Sequence, residues 1–313
     1  MKEELMVSGK HIAEIYPVLH LWHWEISLYL FLGGLAGGIL FFAAYFFIIG
    51  KEKEMSTTVK WATFIAPLAL MIGLSSLLYD LHHKLYFWRL FTTVRFTSPM
   101  SWGAWTLLII FPLSIIWVAS FMKDMFPNWN WKWKYLNQFE SFVIKYRLPF
   151  AWILMFLSII LAVYTGILLS AFNARPLWNV SILGPLFLVS GFSTGLATSM
   201  WLSKNDAERR ILSRIDIFFI LTELFLIIHL FMGFMAGTAV KLEAFRLFMG
   251  GSFTISFWIF VVLLGLIFPV TLEILELNGY HVPKWVPPLL ILFGGLMFRF
   301  VMVDAGQITR FLY

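Results

Sequence analysis

The sequence predicts an all-α polytopic membrane protein with eight transmembrane helices, and three observations carry that prediction. Eight long apolar runs make up more than half of the 313 residues. Each is close to the ~20 residues that an α-helix needs to cross a bilayer. Hydrophobic residues make up 60% of the chain and charged residues 13%, where a soluble domain carries about a quarter charged. Backbone polar groups cannot stay unpaired in lipid, so spanning elements are helices or a closed barrel. Continuous runs of this length are not the ~10-residue alternating strands of a barrel.

In chain order the runs cover residues 22–49, 61–81, 100–122, 149–172, 182–202, 211–236, 252–273 and 286–303. The first opens on Trp22-His23-Trp24-Glu25 and continues into Gly33-Gly34-Leu35-Ala36-Gly37-Gly38. Its two overlapping GxxxG spacings allow close backbone approach and predict helix packing rather than chemistry. The second run closes on Tyr79-Asp80, with His82, His83 and Lys84 just beyond, and the third opens on Ser98-Pro99-Met100-Ser101-Trp102-Gly103. Between the third and fourth lies the longest connection, 123–148, too short for a folded domain. Its Trp129-Asn130-Trp131-Lys132-Trp133 alternates an amphipathic ring with a cation, which suits the headgroup layer. The fourth run carries Tyr164 and ends at the short link 173–181. Four runs precede that link and four follow it. This predicts a single integral membrane domain, 1–313, made of two four-helix bundles, 22–172 and 182–304. The fifth run repeats the packing signal in Ser190-Gly191-Phe192-Ser193-Thr194-Gly195. Glu223 sits near the middle of the sixth, with His229 after it. Arg299 lies inside the eighth.

Charge and composition narrow the function classes. The formal net charge is +6, but its lysines and arginines are spread among loops, so a nucleic-acid partner is not indicated. The chain has no cysteine, which excludes disulfides, thiolate zinc sites and an iron–sulfur cluster ligated by this chain's own thiolates. The first 20 residues lack a basic-then-apolar leader pattern, so the first run is expected to stay in the membrane. Lysines and arginines are more numerous in the odd connections, such as Lys123, Lys145, Arg147, Lys204, Arg209 and Arg210, than at the termini and even connections. The positive-inside rule then puts both termini on the outer face.

With that orientation, one end of the first four helices gathers the polar chemistry: His23 and Glu25, Asp80 with His82 and His83, and the 173–179 stretch. Ionisable groups near membrane depth are costly and usually face a bundle interior or a water-filled cavity. Tyr29 follows Glu25 at i+4, on the same face. Carboxylates and imidazoles there suit proton exchange; the plainer alternative is that they cap helix ends and pair with Lys84, Arg89 or Arg95. Glu223, His229 and Arg299 are read either as steps of a proton path or as structural hydrogen-bond partners. A b-type haem needs two histidines at matched depth on facing helices, and no such pair sits mid-helix, so no haem is expected.

At these same segments the chain resembles the NrfD-like family, the membrane subunits of polysulfide-reductase-type respiratory complexes. The resemblance rests on the run from Trp24 to Gly38, on Ser98-Pro99-Met100-Ser101-Trp102-Gly103-Ala104-Trp105, on Tyr164-Thr165-Gly166 with Pro176-Leu177-Trp178-Asn179, and on Gly294-Gly295-Leu296-Met297-Phe298-Arg299 with Ala305-Gly306-Gln307. It covers nearly the whole chain. It implies a menaquinone or other quinone held near the outer face of the first bundle, in a bacterial or archaeal cytoplasmic (inner) membrane. It also implies an iron–sulfur cluster subunit docked above that site and a molybdopterin catalytic subunit beyond. By motif position the quinone-binding role falls on His23, Asp80, His82 and Tyr164, with Tyr29 beside them, and proton transfer on Asp80, His82 and Glu25. The expected function is a quinone/quinol-reacting anchor that is not the terminal catalytic subunit. A b-haem quinol oxidase anchor and a secondary transporter are the rival readings. No inverted repeat or pair of broken helices supports the transporter.

Overall fold

The computed structural model describes residues 22–129 and 134–309. Eight helices in it are long and apolar enough to cross a membrane: α1 Trp24–Ile48, α2 Thr57–Asp80, α3 Pro99–Met125, α4 Arg147–Ser170, α5 Leu183–Leu202, α6 Asp206–Met235, α7 Ser256–Leu277 and α8 Val286–Ile308. The all-α polytopic class is as the sequence predicts. One face of the molecule holds the start of α1 and the end of α8; we call it the terminal face and its opposite the far face. Asn130, Trp131, Lys132 and Trp133 lie outside the described residues, as does the segment before Trp22. An amphipathic helix, Lys134–Lys145, lies within that long connection and buries Val143 and Glu140.

Helix ends depart from the apolar runs for identifiable reasons. Helix α6 starts at Asp206, five residues before its run, because the Asn205 side chain accepts a hydrogen bond from the Ala207 N–H at 3.0 Å and caps it. Its first turn then buries Glu208 and Arg209. The Glu208 carboxylate accepts from the Thr58 N–H at 2.8 Å, the Thr58 hydroxyl at 2.9 Å and the Ser203 hydroxyl at 3.0 Å. One buried carboxylate thus ties the start of α2 to the α5–α6 turn. Helix α2 begins at Thr57, before its run, through a π turn and a 3₁₀ turn. Helix α7 is π-wound from Ser256 to Ile267.

Helices α1 and α5 are the central pair of the packing. Helix α1 packs on α2, α4, α5 and α8, and α5 packs on α1, α4, α6 and α8. The glycine spacings of the two central helices interlock. A Cβ on Gly38 would sit 2.3 Å from the Gly191 carbonyl oxygen, and one on Gly195 would sit 2.5 Å from the Gly38 carbonyl carbon. In lipid, where apolar faces gain little from leaving solvent, such backbone contact drives helix association. Gly265 and Gly294 do the same between α7 and α8. Arg299, fully buried, lies beside this seam: it donates to the Ser190 hydroxyl at 2.5 Å and to the Gly295 carbonyl at 3.0 Å. Its guanidinium also stacks over Phe187 and Phe298.

Candidate functional site

A cavity of about 250 Å³ opens among α1–α4 at the terminal face. Its wall is almost wholly apolar, with Ile26, Leu74, Leu77, Met100, Ala104 and Leu168 among its lining residues. Its polar groups are Asp80, Tyr29, Tyr164 and the indole of Trp22. An apolar pocket with a few converging polar groups is the usual form of a small-molecule site.

Each polar group is held by local structure. Tyr29 and Tyr164 are buried and interact through their side chains across the α1–α4 interface. The Tyr164 ring lies directly on the backbone of Gly103, where a Cβ would come within 1.9 Å of the ring. Gly103 therefore explains one residue of the motif at 98–105. Three others anchor the segment over the cavity. The Ser101 hydroxyl donates to the Thr93 carbonyl, the Trp102 indole to Phe96 and the Trp105 indole to Phe91. Those bonds hold Leu90 and Phe91 against the opening.

The opposite rim is pinned by the C-terminal end of α8. The Gln307 side-chain amide donates to the Trp22 carbonyl and accepts from the Trp22 N–H, both at 2.8 Å. The Trp22 ring stacks on Trp178 at 5.2 Å and meets Phe172 edge-on. Trp178 in turn donates to the Met302 carbonyl at 2.8 Å and packs on Gly306, where a Cβ would come within 1.8 Å of its indole nitrogen. Residues far apart in sequence thus converge to fix one cavity wall.

Asp80, the last residue of α2, is half-buried, and Glu25, His23 and His82 all lie within electrostatic range of it. Glu25 is in the first turn of α1, is 6% exposed, and has one carboxylate oxygen with no hydrogen-bond partner among the described residues. It does not line the cavity. His23 and His82 are exposed. His82 lines a separate, more open hollow of about 530 Å³ with His83, Arg89 and Arg95. The two spaces share Leu81, Leu90 and Met100. A third, apolar groove of about 260 Å³, lined by Met71, Leu78, Phe87 and Phe111, shares Leu74, Leu77, Leu81, Leu90 and Phe91 with the cavity. The cavity therefore adjoins a polar hollow at the face and an apolar groove on the α2–α3 flank.

The second set of sequence candidates is split. Glu223, on α6, faces Ser190 and Arg299, so those two are brought together. His229 is not. Six residues advance a helix by about 240°, placing it on the opposite side of α6 from Glu223. There it is exposed, with Nδ1 3.0 Å from the Phe225 carbonyl oxygen. Glu223 is also not the deepest carboxylate by burial, as sequence position suggests: Asp216 is 0% exposed. The early start of α6 brings Asp216 almost three turns inside the helix, and Glu273 on α7 is 1% exposed. The spacing Arg209, Ser213, Asp216, Ile220, Glu223 was the signal for this stripe.

The chain is similar to known proteins over nearly its whole length. Residues 13–311 match the family model described as polysulphide reductase, NrfD. The chain is 31% identical over 300 residues to the C subunit of polysulfide reductase from Wolinella succinogenes, covering 91% of this protein and 94% of that one. It is 30% identical over 303 residues to protein NrfD of Escherichia coli strain K12, covering 92% and 95% respectively. A homologue of NrfD from Haemophilus influenzae is 28% identical over 308 residues, covering 92% and 95%.

Proposed function

This chain belongs to the NrfD, or polysulphide reductase, family, and from that premise we propose that it is the quinone-reacting membrane subunit of a respiratory reductase complex. The observation that carries the reading is the cavity at the terminal face. It is apolar enough for a quinone ring, has Asp80 and a buried tyrosine pair in its wall, and adjoins both the membrane flank and the face. A soluble-substrate site would have no use for the apolar groove, whereas a prenylated ring needs a route out for its tail.

A bound quinol supplies two electrons and two protons, and the redox chemistry belongs to it rather than to the protein. Tyr29 and Tyr164 supply hydroxyls that orient the ring, and Gly103 fixes where the second of them stands. Asp80 accepts a proton at the cavity wall and shares it with Glu25, His23 and His82. The two exposed histidines hand protons to water at the terminal face, which we assign to the outside of the cytoplasmic membrane from the distribution of lysine and arginine. Electrons leave through a partner, an iron–sulfur subunit that serves a molybdopterin catalytic subunit. Its contact is assigned to the segment above the cavity, where Leu85, Tyr86, Trp88 and Phe96 are exposed beside Arg89 and Arg95.

The test is quinol oxidation by the purified complex carrying Asp80→Asn. The amide keeps the shape and removes the proton acceptor, so turnover should fall by roughly 10²–10⁴, the range for a positioned proton-transfer group. Wild-type turnover would remove Asp80 from the mechanism. Loss of turnover together with loss of partner subunits would show a structural role instead.

A further inference from the structure

Quinol oxidation at the cavity makes no use of two fully buried acids, Asp216 and Glu273. On α6, Arg209, Ser213, Asp216, Ile220 and Glu223 follow at spacings of four and three, so all lie on one buried face. That face looks onto α5, α7 and α8. The Asp216 carboxyl is flanked by the Ser193 hydroxyl of α5 and the Glu273 carboxyl of α7, with Glu223 further along its own helix. Glu273 is flanked by Asp216, by the Ser213 hydroxyl and, one turn toward the far face, by Glu276 and Arg209.

Among the described residues neither carboxyl has a cation in direct contact. Arg209 is committed to Glu276, through contacts of 3.1 and 3.3 Å, and to the Met200 carbonyl at 2.7 Å. Arg299 faces Glu223 and donates to Ser190. No ion pair among the described residues reaches Asp216 or Glu273. All four of their carboxyl oxygens are buried and, among the described residues, none makes a well-formed hydrogen bond, and the same holds for the hydroxyls of Ser193 and Ser213 beside them, which are 1% and 3% exposed. Two hydroxyls beside two orphaned carboxyls make a buried, oxygen-lined site.

We propose that Asp216 and Glu273 form a proton-binding site inside the second half of the protein, sharing one exchangeable proton that enters from the far face past Glu276. Two adjacent carboxylates at membrane depth cannot both be ionised without a cation, and a shared proton is the smallest species that resolves the repulsion. Such pairs titrate as a unit. Access is built in. Glu276 is 20% exposed at the far end of α7, and Glu273 lies one turn inside it on the same helix. Toward the membrane centre, Ser193 and Ser190 are one turn apart on α5 and face Asp216 and Glu223 respectively. The polar line therefore runs from the far face to Arg299, beside α1. It leaves out His229. The proposal stands whether or not the cavity of the first half takes a quinone.

Infrared spectra of the purified complex test it directly. The protonated carboxyl gives a C=O stretch that shifts in D₂O and shifts again when aspartate or glutamate is ¹³C-labelled at the carboxyl carbon. We expect such a band at neutral pH in the wild type, displaced in Asp216→Asn and in Glu273→Gln, and absent from the double variant. Should the variants not assemble, isotope labelling of the wild type still decides: a spectrum with no label-sensitive protonated-carboxyl band overturns the proposal. A band abolished by added Na⁺ would overturn it in favour of a sodium site. Glu276→Gln should slow deuterium exchange of the band by roughly 10²-fold, the low end for a positioned proton-transfer group. An unchanged exchange rate would refute entry past Glu276.

Discussion

Replacing Gly103 with alanine tests the cavity geometry with a single methyl group. The Cβ would stand 1.9, 2.3 and 2.4 Å from three ring carbons of Tyr164. Ordinary van der Waals contact begins at 3.4 Å, so the ring must move by about 1.5 Å. The cavity it lines offers space for that movement. Overpacking of this kind costs about 1–3 kcal/mol of stability, which eight packed helices tolerate. The functional cost is larger, because displacing a positioning group by about 1 Å lowers rate by roughly 10²-fold. Gly103→Ala should therefore yield an assembled complex with quinol oxidation down about 10²-fold. Adding Tyr164→Leu should restore thermal stability by removing the clash and leave turnover low. The assay is quinol-dependent reduction by the purified complex, with subunit content checked on the same sample. Wild-type turnover in Gly103→Ala would show that the Tyr164 ring does not bound the reacting site.

At Glu223, the Gln variant should be nearly silent in thermal unfolding, while Glu223→Leu should lose about 1–3 kcal/mol by stranding Ser190 and Arg299; equal effects of the two would exclude a hydrogen-bonding role. Gly38→Ala brings a methyl 2.3 Å from the Gly191 carbonyl oxygen and should destabilise by about 1–3 kcal/mol. Gly233→Ala, with nothing within 4 Å of its Cβ, should be neutral or slightly stabilising on the same thermal-shift assay. Reporter fusions after Lys53 and after Arg175 should report the cytoplasm and the outside respectively, and the reverse result inverts the orientation.

The helices were legible because their cause is local. A continuous apolar run of membrane length has few other ways to satisfy its backbone. Their ends were less so, since caps such as Asn205 and polar first turns such as that of α6 lie outside the apolar signal. The glycine spacings announced close packing without naming the partner, because which helix faces Gly34 and Gly38 is a matter of tertiary contact. Asp80 and Tyr29 could be picked from sequence as polar interruptions near one face, and Tyr164 by its place in a motif of the resemblance. Gly103 and Gln307 could be quoted as motif residues, but their work, holding a ring and pinning Trp22, exists only in the folded chain. The pairing of Asp216 with Glu273 was hidden for the same reason. Asp216 lies six residues into one apolar run and Glu273 closes the next, and nothing local to either shows that α6 and α7 bring them side by side.

Whether the cavity among α1–α4 is the quinone site turns on where a quinone lands. A photoreactive azido-quinone bound to the purified complex, illuminated and mapped by mass spectrometry, should label peptides bearing Tyr29 or residues 77–80, 100–104 or 164–168, and excess native quinone should abolish the label. Competable labelling confined to α5–α8, or to a partner subunit, would put the site elsewhere and overturn the assignment.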